Sequence, residues 1–263
     1  MKKSQLGFGV TGDLAPDTVR AIAKRAQEIG LASLWFNESG DGDALARLAI
    51  AAGESTSMLL GTGVIAVDRK PATEIVRQVG ELQLPQDRLI VGIGSAAKPS
   101  PLTRVSESLG ILRESLSART VVGSLGPRMR KLGAEQSNGL LFNWLTPHFA
   151  AETSETLRSQ ASATGNTPVI SATYIRTALG DDALRRLREE AAKYSSIPSY
   201  AANFERLGIT AMESAVHASD PGGVRDGLLA FDGTVDHVIV RAITPTDDVG
   251  HYLDLLDAIA LLA

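Results

Sequence analysis

Five consecutive residues, Ser124-Leu125-Gly126-Pro127-Arg128, carry the strongest local chemistry in this chain. A hydroxyl, a glycine and a guanidinium stand beside a proline of the kind that opens helices. If a strand ends at Ser124 and a helix begins at Pro127, the first N–H groups of that helix lack partners and carry partial positive charge. Together with Ser124 and Arg128 they suit a phosphate. The same residues serve equally as a proline-initiated helix with an ordinary surface arginine, and the sequence leaves both readings open.

Other chemistry is thin. Gly92-Ile93-Gly94-Ser95-Ala96-Ala97 partly mimics a dinucleotide fingerprint. A working fingerprint opens a helix at once, whereas Lys98-Pro99-Ser100-Pro101 follows here, which argues against a nicotinamide site. His148, His217, His237 and His251 lack metal-ligand spacing and read as structural or surface residues. The absence of cysteine excludes disulfides, thiolate zinc sites, iron–sulfur clusters and cysteine nucleophiles. No Gly-x-Ser-x-Gly elbow and no Walker loop occurs, so serine-hydrolase and P-loop readings fail. The run Arg185-Arg186-Leu187-Arg188-Glu189-Glu190 reads as a solvated helix face. Lysine plus arginine total 26 against 30 acidic residues, a net charge of −4. No basic excess exists to neutralise a nucleic-acid backbone.

The elements that must position these residues alternate from end to end. Apolar runs at Leu6–Val10, Ser33–Phe36, Met58–Ile65, Leu89–Ile93, Thr120–Gly123, Gly139–Trp144, Pro168–Tyr174 and Asp236–Arg241 read as strands. Helical patterns follow each: 17–30, 43–54, a stripe over Ile75, Val76, Val79 and Leu82 stopped by Pro85, then 103–116, 127–136, 147–163, a helix from Asp181, and 249–262. The connection between the last two strands is oversized, with a break at Pro198 and a loop around Gly208–Gly223. Eight strand–helix repeats in 263 residues favour a closed (β/α)8 barrel over an open doubly wound sheet. No linker divides the chain, so residues 1–263 read as one domain. No apolar run has signal-peptide or membrane-spanning length, and a cytoplasmic protein is expected.

In such a barrel the active site lies at the carboxyl ends of the strands. Those ends are Asn37-Glu38-Ser39, Thr62-Gly63, Gly94-Ser95-Ala96, Ser124-Leu125-Gly126, Asn143-Trp144 with Thr146, Tyr174 to Arg176, and Arg241 to Thr244. The set is poor in acid–base groups and rich in small residues. That suits a flat or extended ligand that brings its own chemistry. The plainer alternative is that the glycines only serve tight turns.

With these residues laid out, the sequence resembles the bacterial luciferase-like monooxygenase family of flavin- and deazaflavin-dependent oxidoreductases. The matching stretches are Leu60–Val64, Asp87–Gly94, Leu125–Met129, Gly139–Pro147, Ile197–Tyr200 and Phe204–Gly208. The resemblance implies a barrel with FMN or coenzyme F420, a deazaflavin, across its mouth, and hydride transfer to or from a small organic substrate. It implies a ring resting on the ends of strands two to four and a phosphate on Ser124, Leu125, Gly126, Pro127 and Arg128. Asn37, Thr62, Gly63, Val64, Gly94, Ser95, Asn143 and Trp144 complete the implied cofactor contacts, and Glu38 is the implied catalytic group. It also implies a cis peptide bond between Gly63 and Val64, and a homodimer, although no segment marks a dimer seam.

The sequence departs from the family at two points. Deazaflavin-dependent sugar-phosphate dehydrogenases carry an acid–histidine pair after strand two, where Glu38-Ser39 stands, and a glutamate after strand four, where Ala97 stands. The sugar-phosphate reaction is therefore not expected. A barrel that binds a cofactor or ligand without catalysis is the alternative function.

Overall fold

The computed structural model describes residues 3–38, 40–95 and 99–263; Ser39 and Ala97 lie outside them. Eight strands form the barrel: β1 (Gln5–Thr11), β2 (Ser33–Asn37), β3 (Leu59–Thr62), β4 (Leu89–Gly94), β5 (Arg119–Ser124), β6 (Gly139–Asn143), β7 (Ile170–Leu179) and β8 (His237–Ile243). Each pairs in parallel with the next. β8 closes the ring, with His237 opposite Ala172 on β7 and Gln5 opposite His237 on β1.

The strands read as continuous apolar runs because both faces are buried. Trp35, Ile90, Val121, Leu141, Ala172, Tyr174 and Ile239 fill the barrel. Their neighbours Leu34, Phe36, Val91, Val122, Leu140, Phe142, Ile175, Val238 and Val240 belong to the layer between strands and helices. This alternation fixes which residues reach the mouth. Continuing the inward series upward gives Asn37, Gly63, Gly94, Gly123, Asn143, Arg176 and Arg241.

The outer helices are α1 (Pro16–Glu28), α2 (Ala44–Glu54), α3 (Ala72–Glu81), α4 (Pro101–Ser115), α5 (Pro127–Gln136), α6 (Pro147–Ala163), α7 (Asp181–Ser196), α8 (Pro198–Leu207), α9 (Pro221–Leu229) and α10 (Val249–Ile259). Proline opens α5 and α6 at the positions read from the sequence. Among the described residues no helix is long and apolar enough to cross a membrane.

Three local expectations are corrected. β7 begins at Ile170 and runs on to Leu179, past the expected end at Tyr174, because Arg176 and Thr177 are buried rather than solvated. Pro198 breaks one helix but also opens α8. The expected loop over 208–223 contains a short strand, Val216–Ala218, added to the end of β7, and the start of α9.

Candidate active site

The mouth has two unlike sectors. On β3 to β5 the inward residues Gly63, Gly94 and Gly123 have no side chains. On β6 to β8 the inward residues Asn143, Arg176 and Arg241 are large and polar.

In the first sector the Gly63–Val64 peptide bond is cis, as the resemblance implied. Val64 lies across the glycines: a Cβ on Gly123 would stand 2.8 Å from its Cγ1, and one on Gly94 3.1 Å from its Cγ2. A Cβ on Gly63 would stand 2.0 Å from Tyr174 Oη. The glycines thus let Val64 and Tyr174 pack together as a half-apolar shelf. Thr62 is placed differently from the expected cofactor contact. The β3–β4 ladder breaks after Gly61 opposite Ile90, and pairing with β4 resumes at Ile65 opposite Ile93. In the gap Thr62 Oγ1 donates to the Gly92 carbonyl at 2.9 Å and accepts from the Gly92 N–H at 2.8 Å. The buried Thr62 hydroxyl therefore holds the barrel wall together and is committed there.

At the end of β2, Glu38 Oε1 is 2.9 Å from Lys70 Nζ, with the two side chains 10% and 16% exposed. Lys70 also donates to Gln78 at 3.1 Å and lies 3.5 Å from Asp43. Asp43 caps α2 by accepting from the Ala46 N–H. Burial works to raise the Asp43 carboxyl, but the Ala46 N–H, Gln78 and Lys70 outweigh it and hold the carboxyl below its ordinary value. Lys70 was not legible as part of the site, because only the fold brings the loop before α3 to the end of β2.

At the end of β5 the turn has the expected form. Gly126 precedes α5 without a side-chain cap, and Pro127 occupies its first turn. Arg128 is exposed. Two further guanidiniums stand nearby. Arg206, from α8, donates to the Leu125 carbonyl at 3.0 Å and also to Asn203. Arg130 donates to Thr153 at 3.1 Å. Burial first, then the charge of Arg206, lower Arg130 to about 10.

In the second sector Arg176 is only 1% exposed. It donates to Glu190 at 2.9 Å and to Asn143, and its guanidinium lies 4.0 Å from the Trp144 ring centroid. Trp144 has a left-handed backbone, φ 56°, which is uncommon for a bulky residue. It is fully buried with Phe204 and Tyr194 around it. Trp144 is therefore under the mouth, beneath Arg176, and not on an open face. Burial works to raise the Glu190 carboxyl; Arg176 and Arg241 outweigh it and keep it below its ordinary value. Glu190 corrects the reading of 185–190 as a wholly solvated face. It falls three residues after buried Leu187 and turns inward with it, while Arg185, Arg188 and Glu189 stay exposed. Burial pushes the Tyr174 phenol well above its ordinary value, so it stays neutral.

Buried polar atoms are normally paired. Around this mouth Asn37 Oδ1, Glu38 Oε2, Ser95 Oγ, Ser124 Oγ and Tyr174 Oη are buried without a hydrogen-bond partner among the described residues. Four of these five belong to strands β2, β4 and β5 or the residues just after them, around the shelf. The arrangement fits a flat heterocycle with polar edges lying on Val64 and an anionic tail toward α5.

The family model for luciferase-like monooxygenase matches residues 4–119. Leu60–Val64 and Asp87–Gly94 lie within that span; the other resembling stretches follow it. No curated protein matches the sequence. Among solved structures the chain is similar to an F420-dependent secondary alcohol dehydrogenase in complex with an F420–acetone adduct, at 16% identity over 100% of this chain and 98% of that one, with a TM-score of 0.79. It is similar to the coenzyme F420-dependent tetrahydromethanopterin reductase from Methanopyrus kandleri, at 15% identity over 98% of each chain, with a TM-score of 0.74. It is also similar to the oxygenating constituent of 3,6-diketocamphane monooxygenase from Pseudomonas putida, a type II Baeyer–Villiger monooxygenase in complex with FMN. That match has 15% identity, covers 98% of this chain and 97% of the other, and has a TM-score of 0.68. At these identities the likeness establishes the barrel fold along the whole chain.

Proposed function

We propose that this chain, which matches the luciferase-like monooxygenase family over residues 4–119, is a single-domain oxidoreductase that uses FMN or coenzyme F420 on a small organic substrate. The observation that carries this reading is the shelf of Val64 over Gly94 and Gly123, ringed by the unpartnered atoms of Asn37, Ser95, Ser124 and Tyr174. A flavin or deazaflavin bound there supplies the hydride chemistry, which no side chain can supply.

The chain's own residues bind and orient. Val64 backs the ring, and Asn37, Ser95 and Tyr174 meet its polar edges. Ser124, the first N–H groups of α5 and Arg128 hold the phosphate, and Arg206 steadies the turn through the Leu125 carbonyl. Glu38 is the catalytic candidate: Lys70 fixes Oε1, and Oε2 is the atom left to exchange a proton with substrate. The reading places the enzyme in the cytoplasm as a homodimer, with hydride transfer or oxygen insertion as its two chemical variants.

A non-catalytic ligand-binding barrel is the second reading. It is favoured by the Lys70 ion pair, which occupies half of the one carboxylate at the end of β2. Expression in a host that supplies both cofactors, followed by mass and absorbance of what co-purifies, tests the first reading. Turnover with reduced cofactor separates it from the second.

A further inference from the structure

A cleft of about 290 Å³ opens on the outside of the barrel, between α5, α6 and α8. Its apolar side includes Phe149 and Leu157, and its polar side Arg130, Arg206, Gln160 and Glu152. Arg130 is the unusual member. Its guanidinium donates to the Thr153 hydroxyl, but its Nε is buried without a hydrogen-bond partner among the described residues, as is Gln160 Oε1. Arg206 carries the same charge into the same cleft, and the two repel. Glu152 is exposed and forms no ion pair with Arg130 among the described residues. Arginines with unused donors converging on a cleft are arranged for an oxyanion, which a guanidinium binds through paired N–H groups.

We propose that this cleft is a second anion site, taking a small oxyanion of the phosphate-monoester or carboxylate class with an apolar body. Arg130 and Arg206 hold the oxyanion, and Phe149 and Leu157 receive the apolar part. The cleft adjoins the turn after β5 at Pro127 but lies on the outer side of α5, and it stands whether or not the barrel mouth holds a cofactor. Arg206 links the two, since the guanidinium that would meet the anion also holds the Leu125 carbonyl.

The test uses cofactor-free protein carrying Ser124→Ala and Arg128→Ala, so that the turn after β5 keeps only its backbone N–H groups. Inorganic phosphate and phenyl phosphate are titrated while backbone amide resonances are followed. Amides around Arg130, Thr153 and Gln160 are expected to shift, with phenyl phosphate binding the tighter of the two. Adding Arg130→Gln should weaken binding by about tenfold or more, the loss expected for one charge-assisted pair. Arg206→Gln should weaken it several-fold, and this exposed position leaves folding intact if Arg130→Gln does not. Shifts confined to 124–128, or affinity unchanged in Arg206→Gln, would overturn the proposal.

Discussion

Lys70 and Glu38 form an ion pair at 2.9 Å, at the end of β2, between two side chains that are mostly out of water. The pair joins the loop before α3 to the strand end where catalysis is proposed, and Asp43 and Gln78 extend it. Removing one member of a buried pair leaves an uncompensated charge. Lys70→Met is therefore expected to destabilise the fold by about 1–3 kcal/mol, below the fully buried range because both groups keep some solvent. The double variant Lys70→Met/Glu38→Gln should recover part of that loss. Urea unfolding of the four proteins measures the coupling, and strictly additive losses would show that the pair is not an energetic unit.

Thr62→Val probes the barrel wall. It leaves both the N–H and the carbonyl of Gly92 without the bonds that Thr62 Oγ1 provides. A loss of about 1–3 kcal/mol in unfolding free energy is expected, with Thr62→Ser close to the parent. If Thr62→Val kept full stability and lost only cofactor affinity, Thr62 would return to the role expected from the sequence.

Gly123→Ala tests the shelf. The new methyl would meet Val64 Cγ1 at 2.8 Å, so Val64 must move. Overpacking of this kind costs about 1–3 kcal/mol, and weaker cofactor binding should accompany it. Trimming the opposing group in Gly123→Ala/Val64→Ala should restore stability but not affinity. A Gly123→Ala variant that binds cofactor like the parent would show that Val64 does not back the ring.

Acid sensitivity should centre on Asp236. This carboxylate accepts from the Ser171 N–H at 2.9 Å and the Ser171 hydroxyl at 2.8 Å, tying the start of β7 to the start of β8. Burial works to raise its pKa, but the Ser171 bonds and Arg158 outweigh it, so the folded value lies below the ordinary one. A depressed folded pKa gives stability that is complete above the unfolded value, near 3.9, and is lost as pH falls through the folded value. Asp236→Asn should therefore lower stability at neutral pH and flatten its fall below about pH 4. Parallel curves for the two proteins would contradict this.

The barrel was legible because its strands are apolar on both faces and its helices are punctuated by proline, most clearly at Pro127 and Pro147. Helix α9 was missed because Pro221-Gly222-Gly223 has the composition of a loop. Asp220 nevertheless caps it, accepting from both glycine N–H groups. The end of β7 was missed because a charged Arg176 closes the apolar run at Tyr174, and the partners that let the strand continue past it, Glu190 and Asn143, are brought beside it only by the fold. The turn at Ser124–Arg128 was legible as a strand-to-helix turn because its residues are adjacent in sequence. Arg206 was not, since it reaches Leu125 across 81 residues and only the fold supplies that contact.

Equilibrium titration of FMN and coenzyme F420 into the purified protein, with and without Arg128→Ala, tests the central claim most directly. The account predicts saturable binding of at least one of them at one per chain, weakened about ten- to a hundredfold by Arg128→Ala, as expected on losing a charge-assisted phosphate contact. Failure of both to bind the parent protein would contradict it.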